Sequence, residues 1–198
     1  MESIDVALLP ISREDIRTAY LLNRAHADNS KTNLEFQIAE KTSDGTRLMY
    51  FLNFFTQDGT PILDKALECW LCGSKKLISE DRRSRVAVRV KIYLGQGFRG
   101  KGIGTYIVAH EELLFKKWGA AEIQLCAMDF GRWVWTRDKF GYSILPLEFA
   151  ALQQRYRDWQ RSRGAPSAGI LSADRLSDFP QEFLLSPLPA SLTLFKRL

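Results

Sequence analysis

The sequence KIYLGQGFRGKGIGT, residues 91–105, joins two stretches of different periodicity. Before it, branched apolar residues alternate with Arg89 and Lys91 over residues 86–94, which is the period of a strand. After it, apolar residues recur every three or four positions over residues 103–118, which is one face of a helix. The sequence therefore predicts a strand, a tight glycine-rich loop and a helix.

Five glycines and two cations, Arg99 and Lys101, lie between these patterns. Because glycine lacks a Cβ atom, the backbone N–H groups around Gly100, Gly102 and Gly104 are open to a ligand. They fall at the start of the predicted helix, where the first N–H groups have no helical partner and the dipole is positive. The sequence offers no good capping side chain there, which is a defect unless a bound anion replaces the cap. We therefore predict that the loop binds a phosphate group, most simply a pyrophosphate.

Other glycine-loop motifs do not fit this stretch. No Gly-Lys-Ser/Thr triplet closes a Walker phosphate loop. The spacing Gly100-x-Gly102-x-Gly104 is not that of a Rossmann fingerprint, and no acidic residue ends a following strand where such a fingerprint requires one. A tight strand-to-helix turn without a ligand remains the alternative to a phosphate site.

What fits is Arg99-x-x-Gly102-x-Gly104 between a strand and a long helix. Residues 97–104 resemble the acyl-coenzyme A loop of the GNAT N-acyltransferase superfamily, and the resemblance covers about residues 86–142 and, more loosely, the chain from there to the C-terminus. It implies acyl-coenzyme A, most simply acetyl-coenzyme A, as co-substrate, with its pyrophosphate on the loop N–H groups and its acyl carbonyl on the N–H of Leu94. The implied cofactor-binding residues are Leu94, Arg99, Gly100, Lys101, Gly102, Ile103, Gly104 and Thr105.

The resemblance also implies the fold class. This is an α/β (α+β) fold with a mixed, mostly antiparallel central sheet, flanking helices and one splayed pair of parallel strands, between which the pantetheine arm lies. Alternation over residues 122–128 predicts the second strand of that pair, because a strand, a crossover helix and a strand form a βαβ unit with parallel partners. We expect one GNAT-like domain over residues 1–198, with an insertion over residues 147–190 before a terminal strand at residues 191–198.

The first part of the chain predicts further elements. Residues 1–12 favour a short strand, and Ser12 caps a helix. Residues 34–41 alternate for most of their length, and residues 47–56 are a dense run of aromatic and aliphatic residues. The Asp-Gly turn between them predicts a hairpin. Residues 62–73 fit either a strand or a helix, and the charged residues 74–84 indicate a loop.

The stretch after the second strand resembles another family signature, a short helix that closes on Gly-Phe. Here residues 131–142 end in Lys-Phe-Gly-Tyr. Many family members carry a tyrosine on this helix near the coenzyme thiol, but ungapped alignment places Arg137 there, and a shift of two residues places Trp135. No tyrosine acid is therefore readable, and the thiolate would leave with help from Arg137 or from water. Residues 143–146 favour a strand that ends at Pro146, and the stretch from Phe149 an amphipathic helix.

The implied reaction is direct attack of a neutral amine on the thioester, without a covalent intermediate. The N–H of Leu94 would stabilise the oxyanion. Asp129, at the end of the second strand, is the first candidate base, with a helix cap near Gly131 as the alternative role, and Glu68 is the second candidate. His110 lies on the apolar stripe, which favours core packing. Cys126 is expected to be a small buried residue, because an acyl-cysteine mechanism would lack a histidine partner.

Length, composition and charge limit the classes of protein to which this chain can belong. A chain of 198 residues, 45% hydrophobic and 26% charged, suits one globular domain. The net charge of +5 agrees with a nucleotide cofactor and requires neither nucleic acid nor a membrane as partner. Cys69 and Cys72 have metal-knuckle spacing but no second pair, so we expect no metal. Without a signal peptide or a spanning run, the expected compartment is the cytoplasm, and a homodimer is compatible with the sequence.

These observations favour an N-acyltransferase that moves an acyl group from acyl-coenzyme A to a primary amine of a small molecule, peptide or protein side chain. Two alternatives stay close to it: a coenzyme A-binding module without catalysis, and a long-chain acyltransferase for a peptide lysine or ornithine. A nucleic-acid binder, suggested by the basic aromatic residues 156–159, is the most distant reading. The insertion either shapes acceptor specificity or serves as a structural flap over a sheet edge.

Overall fold

The computed structural model describes residues 33–42, 45–56, 58–72, 85–164, 173–187 and 191–198. The first strand and helix predicted within residues 1–32, and the loop predicted at residues 74–84, lie outside the described residues. The chain divides into two compact units. The first contains the strands from residue 33 to Ile123 together with Arg197–Leu198, and the second is Gln124–Lys196.

Four strands open the first unit: β1 (Asn33–Thr42), β2 (Gly45–Phe55), β3 (Pro61–Cys72) and β4 (Arg85–Leu94). Each pairs antiparallel with the next. The predicted hairpin is thus confirmed as β1 and β2. The stretch that fitted a strand or a helix is β3, and its proline stands at the first strand position, where a missing N–H is tolerated.

A long helix, α1 (Ile103–Trp118), follows β4 and leads into β5 (Ala120–Ala127). Gly119 ends the helix in the left-handed region with φ 77°, and its N–H donates to the Lys116 and Phe115 carbonyls, which is a common glycine C-cap. Within the first unit the strand order is β1-β2-β3-β4-β5, where β5 contributes Ala120 to Ile123. A helix between two neighbouring strands is the connection that parallel strands use. The fold is therefore mixed α/β.

Strand β4 contains one irregularity in its pairing with β3. Ala66 and Leu67 are consecutive on β3, but their partners on β4 are Lys91 and Arg89. Val90 is therefore the additional residue of a β-bulge, and half of its side chain, 50%, is exposed. From a bulge onward, residues of odd and even number exchange faces of the sheet.

The bulge corrects the alternation predicted for residues 86–94. That pattern placed Arg89 on the face opposite all the apolar residues. In the structure Arg89 is 3% exposed and contacts Glu111 of α1. Ile92 is the partner of Lys65, which also contacts Glu111, so Arg89 and Ile92 share the face that meets the helix.

The second unit contains the rest of β5, its neighbour β6 (Leu192–Arg197), and three helices. These are α2 (Phe130–Trp135), α3 (Pro146–Ser162) and α4 (Gln181–Leu184). The helix predicted within residues 131–142 is thus shorter, and a 3-10 turn, Asp138–Phe140, follows it. The predicted terminal strand is confirmed as β6, and α3 and α4 precede it.

The strand predicted at residues 143–146 is wrong. Only Ser143 pairs, in an isolated bridge with Phe195, and Pro146 is the first residue of α3. Proline suits the first helical turn, because the N–H that it lacks would have no helical partner there. The apolar pattern of residues 143–146 ends at Pro146 because a helix begins there.

The stretch predicted to be an insertion has an aromatic core of its own. The Tyr156 ring lies 4.9 Å from the Phe183 ring and 5.4 Å from the Phe179 ring, between centroids. Phe179 and Phe183 are fully buried. None of the helices in the described ranges is both long and apolar enough to cross a membrane.

Candidate functional site

The loop after β4 is fixed first by a contact with β3. The Gly95 N–H donates to the Ile62 carbonyl at 3.0 Å, and a Cβ atom on Gly95 would lie 2.4 Å from the Pro61 oxygen. A 3-10 turn, Gln96–Phe98, follows. Glycine is therefore required at position 95 for close packing of two strand ends and not for a ligand.

The start of α1 depends on two left-handed glycines. Gly100 has φ 75° and Gly102 has φ 79°, values that other residues rarely adopt. A Cβ atom on either would meet nothing within 4 Å, so these glycines serve the backbone conformation while space around them is open. No side chain caps the helix, and its first turn is closed by a backbone bond from Tyr106 N–H to the Gly102 carbonyl at 2.9 Å.

Two neighbours of the capping glycine anchor this helix end. Ile103 is buried, and a Cβ atom on Gly104 would lie 3.4 Å from Leu94 Cδ1. Gly104 therefore lets the end of β4 pack closely against the first helical turn. Thr105 is exposed. The helix start is thus held by packing on one side and open on the other.

Both cations of the loop are exposed and held by aromatic neighbours. Arg99 Nε donates to the Leu94 carbonyl at 2.9 Å, and the guanidinium lies 5.3 Å from the centre of the Tyr93 ring. Lys101 Nζ lies 5.4 Å from the centre of the Phe98 ring. These contacts keep two positive charges beside the uncapped helix start, where they add to the helix dipole.

The strand register gives the direction of the Leu94 N–H. Hydrogen-bonded and non-hydrogen-bonded pairs alternate along an antiparallel ladder. Gly95 donates to Ile62, so the next pair, Leu94 with Leu63, is a non-hydrogen-bonded one. The N–H and C=O of Leu94 consequently point away from β3, in agreement with the bond that its carbonyl accepts from Arg99. An N–H in this direction is what an oxyanion donor at this strand end requires.

A buried ion cluster lies between the sheet and α1. Glu111 contacts both Lys65 of β3 and Arg89 of β4, with Arg89 Nε 2.8 Å from Oε2, and all three side chains are at most 2% exposed. Burial raises the pKa of the Glu111 carboxyl well above its usual range, and the Glu112 charge adds to this; the two cations in contact oppose it. Burial lowers the pKa of Arg89 to about 10.

Sequence reasoning missed this cluster, although one signal was available. Glu111 stands four residues after Ile107 and four before Phe115, both fully buried, so it belongs to the apolar stripe of α1. A carboxylate in such a stripe indicates a buried partner of opposite charge, because an unpaired buried charge is very costly.

Asp129 lies in the second unit, at the N-terminal boundary of α2. It is exposed and is the one residue other than glycine with positive φ among those described, at φ 46° and ψ −127°. Its side chain forms no capping bond, although it stands at the cap position. Its backbone carbonyl instead accepts from Arg132 N–H at 3.2 Å and Arg132 Nε at 3.3 Å. The carboxylate therefore faces solvent on a strained backbone.

Arg137, after α2, is bound to the chain through all three of its guanidinium nitrogens. Nε donates to the Trp133 carbonyl at 3.2 Å, Nη1 to the Ser177 carbonyl at 3.1 Å and Nη2 to the Phe179 carbonyl at 3.1 Å. These bonds connect α2 to the segment before α4. They give Arg137 a structural role, and its part in thiolate departure stays a prediction.

Three further candidates have defined positions. Glu68 is buried on β3. His110 is half-buried, its ring stacks on Tyr106 at 3.8 Å and its Nδ1 lies 2.9 Å from the Tyr106 carbonyl, so the predicted core packing is wrong. Cys126 is exposed, which corrects the prediction of a buried residue, because it faces away from the buried Leu125 and Ala127. Across the described residues, no cluster of three or more His, Cys, Asp or Glu could hold a metal ion.

One cavity of about 400 Å³ lies within the second unit. Its walls combine aromatic rings with two carboxylates and a guanidinium. The lining residues are Thr136, Asp138, Gly141, Tyr142, Ser143, Ile144, Phe149, Asp174, Arg175 and Leu176. A cavity of this volume is of the size that holds small ligands.

The structure thus brings the predicted cofactor residues together. Leu94 and residues 99–105 lie together in the first unit, where β4 ends and α1 begins, with Ile103 buried and the other residues at least partly exposed. Asp129 and Arg137 flank α2 in the second unit. No family model matches the chain, and no curated protein is significantly similar to it in sequence.

Proposed function

We propose that the protein is an N-acyltransferase that transfers an acyl group from acyl-coenzyme A to a primary amine. One observation carries the proposal: α1 starts without a side-chain cap on a left-handed glycine, with Arg99 and Lys101 beside it. Such a helix start favours an anion, because its first N–H groups have no helical partner and the positive end of the helix dipole lies there. The likeness of residues 97–104 to the acyl-coenzyme A loop of GNAT proteins makes the pyrophosphate the preferred anion.

The register of β4 supports the second half of the cofactor assignment. The Leu94 N–H points away from β3, so it does not serve the ladder with that strand. We assign it to the acyl carbonyl, where it would stabilise the oxyanion formed when the amine attacks. A single preorganised N–H donor contributes about 100-fold to 1,000-fold to such a reaction.

Asp129 is the proposed general base. Its carboxylate is exposed and makes no capping bond, which leaves it available to accept a proton from the attacking amine. Its backbone is held in a sparsely populated conformation, a feature that proteins tolerate mainly where function requires it. The acceptor is proposed to be a primary amine of a small molecule or a peptide side chain.

The first experiment is calorimetric titration with acetyl-coenzyme A. We expect saturable binding with one site per chain. The proposal would be contradicted if millimolar acetyl-coenzyme A gave no heat of binding and did not raise the unfolding temperature. Release of free coenzyme A thiol over a panel of amines and peptides then measures transfer itself.

A coenzyme A-binding module without catalysis is the second candidate. It is favoured by Arg137, whose guanidinium is bonded to backbone carbonyls at the place where many GNAT proteins carry their tyrosine acid. Binding without thiol release from any amine would select this candidate. The long-chain alternative has less support, because Phe179 and Phe183 of the insertion are fully buried in its own core.

A further inference from the structure

We propose that Asp129 and Arg132 form one recognition site for a zwitterion, and that the acceptor amine is an α-amino acid with an apolar side chain. Asp129 holds the ammonium group of this ligand, and Arg132 holds its carboxylate. The inference rests on the proposed function, because it names the acceptor class for the same reaction. All the residues that carry it belong to the second unit.

The first observation is a buried arginine without a counter-charge. Only 5% of Arg132 is exposed. Its Nε donates to the Asp129 carbonyl at 3.3 Å, and among the described residues its guanidinium has no further hydrogen-bond partner and no ion pair. An arginine stays charged at physiological pH, and a covered charge is costly unless an anion compensates it. The partner that Arg132 lacks is therefore an anionic group.

The two terminal nitrogens of Arg132 are open to such a group. They are not among the fully buried polar atoms that lack a partner in the described part of the chain, and they bond to no described residue. Both nitrogens therefore reach solvent. A covered stem that ends in an accessible fork offers two parallel N–H donors, which is the geometry that binds a carboxylate through both oxygens. Arg137 differs, because all three of its nitrogens are bonded to the chain.

The second observation is a carboxylate that stands beside this fork and does not pair with it. The Nε bond places the Arg132 guanidinium against the backbone of Asp129. The Asp129 side chain is exposed, makes no capping bond and forms no ion pair with Arg132 or with another described residue. Two opposite charges that adjoin without pairing are complementary to a ligand that carries both charges close together. An α-amino acid is such a ligand, since its amine and carboxylate are attached to one carbon.

The third observation is the apolar surface next to these charges. Met128 and Phe130, on either side of Asp129 in sequence, are 58% and 54% exposed. The Phe130 ring lies 5.3 Å from the half-buried Trp133 ring, between centroids. Large apolar side chains that stay exposed beside polar groups indicate a binding surface. They assign an apolar side chain to the amino acid.

The reaction itself is that of the proposed function. The bound ammonium first loses a proton to water. The neutral nitrogen then forms a bond to the acyl carbon while the carbon–sulfur bond breaks, one nitrogen-bound proton passes to Asp129, and coenzyme A leaves as the thiolate. Arg132 takes no part in this proton transfer, because its role is to bind the carboxylate of the acceptor.

The first test measures binding of three related probes by calorimetry, with and without coenzyme A, which has no acyl group to transfer. The probes are L-phenylalanine, phenethylamine, which lacks the carboxylate, and 3-phenylpropionate, which lacks the amine. We expect phenylalanine to bind about 10-fold to 100-fold more tightly than either of the others, because each of them loses one charge-assisted contact. Equal affinities for phenylalanine and phenethylamine, or no saturable binding of phenylalanine under either condition, would overturn the inference.

The second test removes the charge of Arg132. Arg132→Gln should weaken phenylalanine binding about 10-fold to 100-fold and leave phenethylamine binding within about twofold. Arg132→Lys, which keeps the charge without the fork, should recover part of the loss and covers the case in which Arg132→Gln does not fold. Arg155→Gln, at an exposed arginine of α3, is the control and should change neither affinity. Equal losses for both probes, or a loss confined to coenzyme A affinity, would contradict the assignment.

Thiol release with acetyl-coenzyme A separates this inference from the proposed function. We expect kcat/KM for phenylalanine to exceed that for phenethylamine in the parent protein and the two values to converge in Arg132→Gln. Equal transfer to both amines by the parent protein would overturn the inference and keep the proposed function. Selective binding of phenylalanine without transfer to any amine would keep the amino-acid site and overturn the proposed function.

Discussion

The start of α1 and the surroundings of α2 both contain candidate functional groups, but these groups are built in different ways. At the start of α1 the candidate groups are backbone N–H groups beside Gly100 and Gly102, which are in left-handed conformations. Around α2 they are the side chains of Asp129 and Arg137. The conformation at the start of α1 is set by residues adjacent in sequence. The contacts of Arg137, in contrast, involve residues 40 and 42 positions away.

The difference teaches which kind of site a single sequence can reveal. A backbone site leaves a local signature, because the glycines that it requires stand next to each other in the chain. A side-chain site depends on what the folded chain brings near it. The same sequence pattern at Arg137 fits a catalytic group or a structural anchor, and only its bonds to Ser177 and Phe179 favour the anchor.

The largest effect is expected at Asp129, the exposed candidate base. Asp129→Asn should lower kcat about 100-fold to 10,000-fold, because the amide cannot accept the proton of the attacking amine. Affinity for coenzyme A should not change. Steady-state kinetics together with calorimetry provide both values. A kcat close to that of the parent protein would show that Asp129 is not the base and would remove one of the two candidate side chains around α2.

The next effect concerns the capping glycine of α1. Gly102→Glu should weaken coenzyme A binding about 100-fold, equivalent to ~2.8 kcal/mol, through strain at φ 79° and repulsion of the pyrophosphate. Calorimetric Kd values provide the measurement. Gly97→Glu is the matched control, since Gly97 is exposed, has no positive φ and lies in the same loop. Equal losses of coenzyme A affinity in both variants would show that the added negative charge, and not the conformation at Gly102, causes the effect.

Arg137 allows a direct test of anchor against catalyst. Arg137→Ala should lower the free energy of unfolding by ~2–3 kcal/mol, because the Ser177 and Phe179 carbonyls lose a charged donor. Urea denaturation measures this. Arg155→Ala, at an exposed arginine of α3, should have little effect on stability. A large fall in kcat at unchanged stability would instead make Arg137 a catalytic group.

The smallest effect is expected at Cys126. Its thiol is exposed on β5, and direct attack needs no covalent acyl-cysteine. Cys126→Ser should leave the free energy of unfolding within about 0.5 kcal/mol and kcat within about twofold. Mass spectrometry after incubation with acetyl-coenzyme A should find no acyl-cysteine in the parent protein. A stoichiometric adduct that the amine then consumes would replace direct attack by a two-step mechanism.

Local periodicity accounted for much of the fold. The strand before the loop, the helix after it and the cap at Gly119 follow from residues within a few positions of each other, and all are present. Pro146 shows where this stops, because a proline after apolar residues signals a break without saying that a helix follows.

The bulge at Val90 shows a second limit. Residues 86–94 alternate without interruption in the sequence, so no local signal marks the extra residue. The extra residue is defined by the pairing with β3, in which Leu67 meets Arg89 and Ala66 meets Lys91. The loop between β4 and α1 could therefore be predicted from the sequence, while the orientation of the strand end before it could not.

The most direct test of the central claim is a titration of the 15N-labelled protein with coenzyme A and, in parallel, with pantetheine, which lacks the pyrophosphate. We expect coenzyme A to shift the amide resonances of Gly100, Gly102 and Gly104 most strongly, and pantetheine to leave them in place. The account would be contradicted if these three amides stayed unchanged at saturating coenzyme A, or if pantetheine shifted them equally.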